Sequence, residues 1–136
     1  MLNRTRIFYW TTTALIVLET LLGGLADLTH GRTLLVSGPF VTDVVAGLGY
    51  PVYVLWIIGT WKILGAITLA VPGFPRLKEW AYAGIVFELL GAAASLAACG
   101  RTAGLVAPLF LLGLALASWA LRPGGRTLGK PLIAQR

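Results

Sequence analysis

The sequence predicts an all-α membrane protein, a four-helix bundle with both termini cytoplasmic, on three observations. Of the 136 residues, 57% are hydrophobic, and the mean hydropathy is +0.84, above the range of ordinary soluble domains. Four apolar runs, at 7–28, 51–71, 80–99 and 103–121, are each long enough to cross a ~30 Å hydrocarbon layer at ~1.5 Å per residue. Arg4, Arg6, Arg76, Lys78, Arg122, Arg126, Lys130 and Arg136 all fall on the side of the termini, against only Arg32 and Arg101 opposite. Short cytoplasmic segments collect positive charge, so the expected location is the bacterial inner membrane, as a multi-pass protein.

The first run follows Arg4 and Arg6, as a signal peptide would. It is too long for one, contains Glu19 and lacks a small-x-small cleavage site, so it is read as the first helix. The loop at 29–49 is the only long connection and is punctuated by Gly31, Gly38, Pro39, Gly47 and Gly49. Within it, 40–46 (FVTDVVA) has the pattern of a short amphipathic or re-entrant turn capping the bundle. The connection at 72–78 (PGFPRLK) is short and proline-rich, which turns the second and third helices into an antiparallel hairpin. The fourth helix has no ionisable group. Residues 122–136 turn polar and glycine-rich and are expected to form a flexible basic cytoplasmic tail.

Trp10, Trp80 and Trp119 fall at the cytoplasmic helix ends and Tyr50, Tyr53 and Trp56 near the outer end of the second helix, as interfacial anchors do. The net charge of +6 is spread over membrane-flanking segments rather than along one basic face, which argues against nucleic acid as a partner. Cys99 is the single cysteine, which excludes an internal disulfide, CxxC redox chemistry and a thiolate zinc cluster. One histidine supplies neither a convincing metal shell nor bis-histidine haem ligation, so no metal is expected.

The chemistry-bearing residues lie inside the runs. Glu19, Lys62 and Glu88 sit near the middle of three separate spans, where each charge facing lipid costs roughly 2.5–3.5 kcal/mol. They are therefore expected to face inward and meet near the midplane as a proton-transferring or ligand-polarising cluster. Two carboxylates and one ammonium leave an unmatched negative charge if all ionise, so the cluster is expected to hold or exchange a proton. Asp27 and His30 extend the Glu19 face outward, either as a solvated outer helix terminus or as the outer end of a polar path, and Trp61, Tyr82 and Ser95 are the further candidate cavity-lining residues. Glycines and alanines at Gly84, Gly91 and Ala92 either leave room for a ligand or let helices approach. The plain structural alternative makes Glu19–Lys62–Glu88 an electrostatic clamp that specifies helix pairing.

Residues 48–95 carry the runs LGYP, WKILGA, PGFPRLKEWAYAG and GAAAS and closely resemble the DoxX-like family of small four-helix membrane proteins. In that pattern Lys62 and Glu79 stand at the characteristic lysine and acid positions, and Glu88 where the family often has an acid. The first helix, ending GGLADLTHG, is similar to a looser N-terminal pattern. Family members often have a histidine after the serine, whereas here Ser95 precedes Leu96, so a role resting on that histidine does not carry over. The resemblance implies the fold, and it implies links to quinone-coupled oxidoreductase subunits and membrane redox complexes.

The leading expectation is a subunit or lipophilic-ligand-binding component of a membrane redox system, with a quinone-like molecule in a polar midplane cavity. No intrinsic cofactor is expected, because flavin, nicotinamide and Fe–S motifs are missing, and electrons would come from a redox partner protein. The alternatives are a membrane isomerase or cyclase using a buried carboxyl as general acid on a terpenoid or sterol-like substrate, and a structural assembly factor without chemistry. Membrane lipid and a lipophilic small molecule complete the expected partners, with a homo-oligomer as a further option.

Overall fold

The computed structural model describes residues 4–31 and 41–129, and among them all regular structure is helical. The long helices are α1 (Arg4–Leu28), α3 (Val54–Ala70), α4 (Pro75–Ala98) and α5 (Val106–Ala120), and α2 (Val41–Gly47) is a short helix in the first loop. Single 3₁₀ turns at Thr102–Leu105 and Gly124–Arg126 flank α5. Counting the first of these turns with α5, three helices are long and apolar enough to cross a membrane, and α3, with 17 residues, is shorter. At ~1.5 Å per residue α3 still reaches ~25 Å. The protein is a multi-pass membrane protein. Its outward faces carry large apolar side chains such as Phe87 at 73% and Phe110 at 65% exposure, a surface that water would penalise and hydrocarbon accepts.

Local chemistry sets the helix ends. At the end of α1, Gly31 N–H donates to Ala26 O and His30 N–H to Asp27 O, with His30 at φ 52°. This is a Schellman cap in which histidine takes the left-handed place usually held by glycine. Gly100, at φ 68°, closes α4 in the same way through Arg101 N–H to Leu96 O. Pro72 cannot continue α3, and Pro75 occupies the first turn of α4, where its missing N–H costs nothing. The hairpin expected from 72–78 therefore forms, although α4 begins before Trp80 and takes Arg76 and Lys78 into its first turn.

The long helices pack in a ring: α1 against α3 and α5, and α4 against α5 and α3. Ile16, Leu69, Tyr82, Ile85, Leu89 and Ala115 form the central core. The α1–α3 contact is the closest, because Gly24 and Gly59 lie against each other. A Cβ on Gly59 would stand 2.9 Å from Gly24 O, and one on Gly24 would stand 3.0 Å from Gly59 O. Only glycine permits that approach.

The polar segment after α5 is not the free tail its composition predicts, as far as Gly129. Arg122 and Arg126 are 3% and 9% exposed. Arg126 donates to Leu69 O at 2.8 Å, to Ala70 O at 3.4 Å and to Tyr9 Oη at 3.2 Å. Lys78, 1% exposed, donates to Thr68 O, Leu69 O and Val71 O. Both cations satisfy the last carbonyls of α3, where the helix dipole favours positive charge. Residues 130–136 of the expected tail, and Arg32 in the first loop, lie outside the described residues.

Candidate functional site

Lys62, on the α1- and α4-facing side of α3, is the centre of the site. Its Nζ stands 2.9 Å from Asp27 Oδ2 and 2.9 Å from Glu88 Oε1, so one ammonium joins α1, α3 and α4. The expectation had Glu19 and Glu88 as the partners of Lys62. Glu88 is one of them, but Asp27 takes the place given to Glu19. Side chains on a helix lean towards its N-terminus, and the N-terminus of α3 lies at the end where α1 finishes. The Lys62 chain thus reaches up to Asp27, two turns beyond Glu19. Glu19 remains a neighbour: its Oε1 and Lys62 Nζ are each 3.5 Å from where a Cβ on Gly23 would sit. The three carboxyl groups nearest to Lys62 therefore come from two helices, α1 and α4. The pair with Asp27 is the more buried and the costlier to break: Asp27 has 7% of its side chain exposed and Lys62 16%, against 29% for Glu88.

Beside this triad a cavity of about 850 Å³ runs along the seam of α3 and α4. Among the described residues, Asp27, Lys62 and Glu88 are the only Asp, Glu, Lys or Arg residues in its wall. The rest is apolar or small: Gly65 on α3, and Gly84 and Gly91 on α4, line it, and a Cβ added to any of these glycines meets nothing within 4 Å. Their small size therefore makes space rather than helix contact. At one end Val41, Val44 and Val45 of α2 close the cavity together with Leu48. The short helix expected at 40–46 thus forms over 41–47 and lies over the bundle, while Phe40 falls outside the described residues. Tyr50 ties this end to α4 through a 2.8 Å hydrogen bond between its Oη and Ser95 Oγ. Volume, apolar walls and a few convergent polar groups are the usual attributes of a small-molecule site.

The other candidate residues divide. Trp61 and Ser95 line the cavity. Tyr82 does not: six residues before Glu88, it is rotated by ~240° around the helix and turns into the core, with Tyr82 Oη 2.7 Å from Ser118 Oγ. Ser118 Oγ is also 2.6 Å from Thr13 Oγ1, so Tyr82 belongs to a separate polar network. His30 is not in the cavity wall either. It caps α1 and packs against Trp56, with ring centroids 5.5 Å apart.

Sequence reasoning overlooked Tyr50 as a cavity residue and Gly24 and Gly59 as the helix crossing. It placed Glu79 only by resemblance. Glu79 accepts from Trp119 Nε1 at 2.8 Å and pairs with Arg122 Nη2 at 2.7 Å, fastening α4 to α5 at the end opposite α2. Arg122 also lies 5.1 Å over the Tyr82 ring. The run PRLKEW thus supplies two fasteners, Lys78 and Glu79, whose partners are supplied by α3, α5 and the segment after α5.

The DoxX-like family model matches residues 11–118, and the chain belongs to that family. The match takes in the whole of α3 and α4, most of α1 and α5, and the whole cavity. No curated protein and no solved structure matches the chain.

Proposed function

We propose that the α3–α4 cavity binds a lipophilic molecule with a carbonyl or hydroxyl head, a quinone or a compound like it, and that the protein serves a membrane redox system as its binding component. The observation that carries this reading is the placement of the Asp27–Lys62–Glu88 triad in the wall of a largely apolar cavity. Two of the three Lys62 N–H groups go to carboxylates, which leaves one to donate to a ligand carbonyl. The free lone pairs of Glu88 accept from a ligand hydroxyl. A carbonyl and a hydroxyl are the two forms a quinone head takes as it gains or loses electrons and protons. Electrons would come from a partner. A closed, fully packed interior would favour the structural clamp instead, and the roomy cavity beside the triad weighs against it.

Purified protein titrated with dimethoxy-methyl-benzoquinone is expected to show saturable quenching of tryptophan fluorescence, because Trp61 and Trp80 line the cavity. Glu88→Gln should weaken binding by ~1–3 kcal/mol, the cost of a lost buried hydrogen-bond partner. Quenching that never saturates, or that Glu88→Gln leaves unchanged, would remove the reading.

The same reading places the protein in a bacterial inner membrane with both termini cytoplasmic. Lys78, Arg122 and Arg126 gather at the end where Arg4 and Arg6 begin α1, in line with the positive-inside bias. Impermeant thiol reagents applied to intact cells should reach Cys99, which is exposed near the α2 end, and should miss a cysteine placed at Gly125. The reverse pattern would invert the orientation.

A further inference from the structure

The cavity is chemically lopsided along its length. On the α2 side of Glu88 its wall contains Asp27, Tyr50, Lys62 and Ser95. On the opposite side, from Gly84 to Leu77 and Gly65 to Thr68, it contains no ionisable group among the described residues; the hydroxyl of Thr68 there donates to Leu64 O at 2.8 Å, as that of Ser95 does to Gly91 O at 2.8 Å, so the difference between the halves lies in Asp27, Lys62 and Glu88. The two ends also differ in closure. Residues of α2 line the polar end, whereas Trp61 and Phe87, 69% and 73% exposed, flank the middle of the cavity beside Lys62 and Glu88, and Trp80, 76% exposed, flanks the apolar half. From Glu88 to Leu77 the apolar half is ~16 Å long at ~1.5 Å per residue. That length suits an extended chain of about 12 carbons, with C–C bonds of ~1.5 Å projected along a zigzag.

We propose that the cavity takes a single-chain lipophile in one orientation, its polar head in the half lined by Asp27, Lys62, Glu88 and Ser95, and its chain running along α4 past Gly84 towards Leu77 and Trp80. This rests on the ligand-binding reading above and adds the shape of the ligand and its direction. The strip runs lengthwise along α4 past Gly84 and Ala81 with α3 on its other side, and a linear chain lies along it. Access is from the side, between the exposed aromatics, with the head turned to the end lined by α2.

The test compares two probes on three proteins. The probes are dimethoxy-methyl-benzoquinone without a side chain and its decyl derivative, with affinities referred to mole fraction in the micelle. The proteins are wild type, Gly84→Leu and Gly91→Leu. Neither substitution meets an atom within 4 Å at Cβ, so both variants should fold. Gly84→Leu is expected to weaken the decyl compound at least tenfold and the tailless quinone less than twofold, while Gly91→Leu weakens both alike. Equal effects of Gly84→Leu on the two probes, or selective loss of the decyl compound in Gly91→Leu, would overturn the orientation while leaving the ligand site in place. If wild type binds neither probe, the functional reading itself fails and this inference with it.

Discussion

Lys62→Met is expected to cost the protein about 3–5 kcal/mol of stability, because it strands Asp27 and Glu88 in the interior without their shared cation. Lys62 is the only ion-pair partner of either carboxylate among the described residues. The triple change Lys62→Met, Asp27→Asn, Glu88→Gln removes the stranded charges together with the lysine and should recover most of the loss. Adding Glu19→Gln should recover less than either of the other two acids, since Glu19 stands outside the direct pairs. Thermal unfolding in detergent measures all of these. Strictly additive losses across the series would contradict the triad, because groups that share one interaction are non-additive.

Gly59→Leu should be as damaging, by a different route. A Cβ there stands 2.9 Å from the backbone oxygen of Gly24 and 3.0 Å from Asp27 Cβ, so the atoms in the way belong mainly to the body of α1 and have little freedom to move. Overpacking of this kind costs about 1–3 kcal/mol, and pushing α1 away also lifts Asp27 from Lys62. A combined loss of about 3 kcal/mol or more is expected. Gly65→Leu on the same helix, where a Cβ meets nothing within 4 Å, should leave stability nearly unchanged. Similar unfolding temperatures for the two variants would mean that α1 and α3 do not cross at Gly24 and Gly59.

The sequence made the helices legible because membrane spans are long uniform signals, and the prolines of 72–78 marked the hairpin. Legibility fell where the outcome depended on side-chain direction or on backbone partners. Depth along each helix axis brought Glu19, Lys62 and Glu88 to one level. Lysine, however, is long and leans along its own helix, and that selects Asp27 over Glu19. Tyr82 and Glu88 share a helix but not a face, a matter of a 100° step repeated six times. Arg122 and Arg126 looked like a solvated tail because the groups that hold them include Leu69 O and Ala70 O, which no side-chain pattern displays. His30 could be read as a helix terminus or as the end of a polar path, and the structure uses its backbone to finish α1. The α3–α4 cavity was half visible: Gly84 and Gly91 fit room and close packing equally well until neighbouring atoms are in view.

The central claim is that the seam of α3 and α4 beside Lys62 is a ligand site, and photolabelling tests it most directly. Protein in nanodiscs would be irradiated with an azido-substituted dimethoxy-methyl-benzoquinone, and the adducts mapped by peptide mass spectrometry. The account predicts labels concentrated on α3 and α4 around Trp61, Glu88 and Ser95, suppressed by excess unlabelled quinone. Labels scattered over the lipid-facing sides of α1 and α5, and indifferent to the competitor, would contradict it.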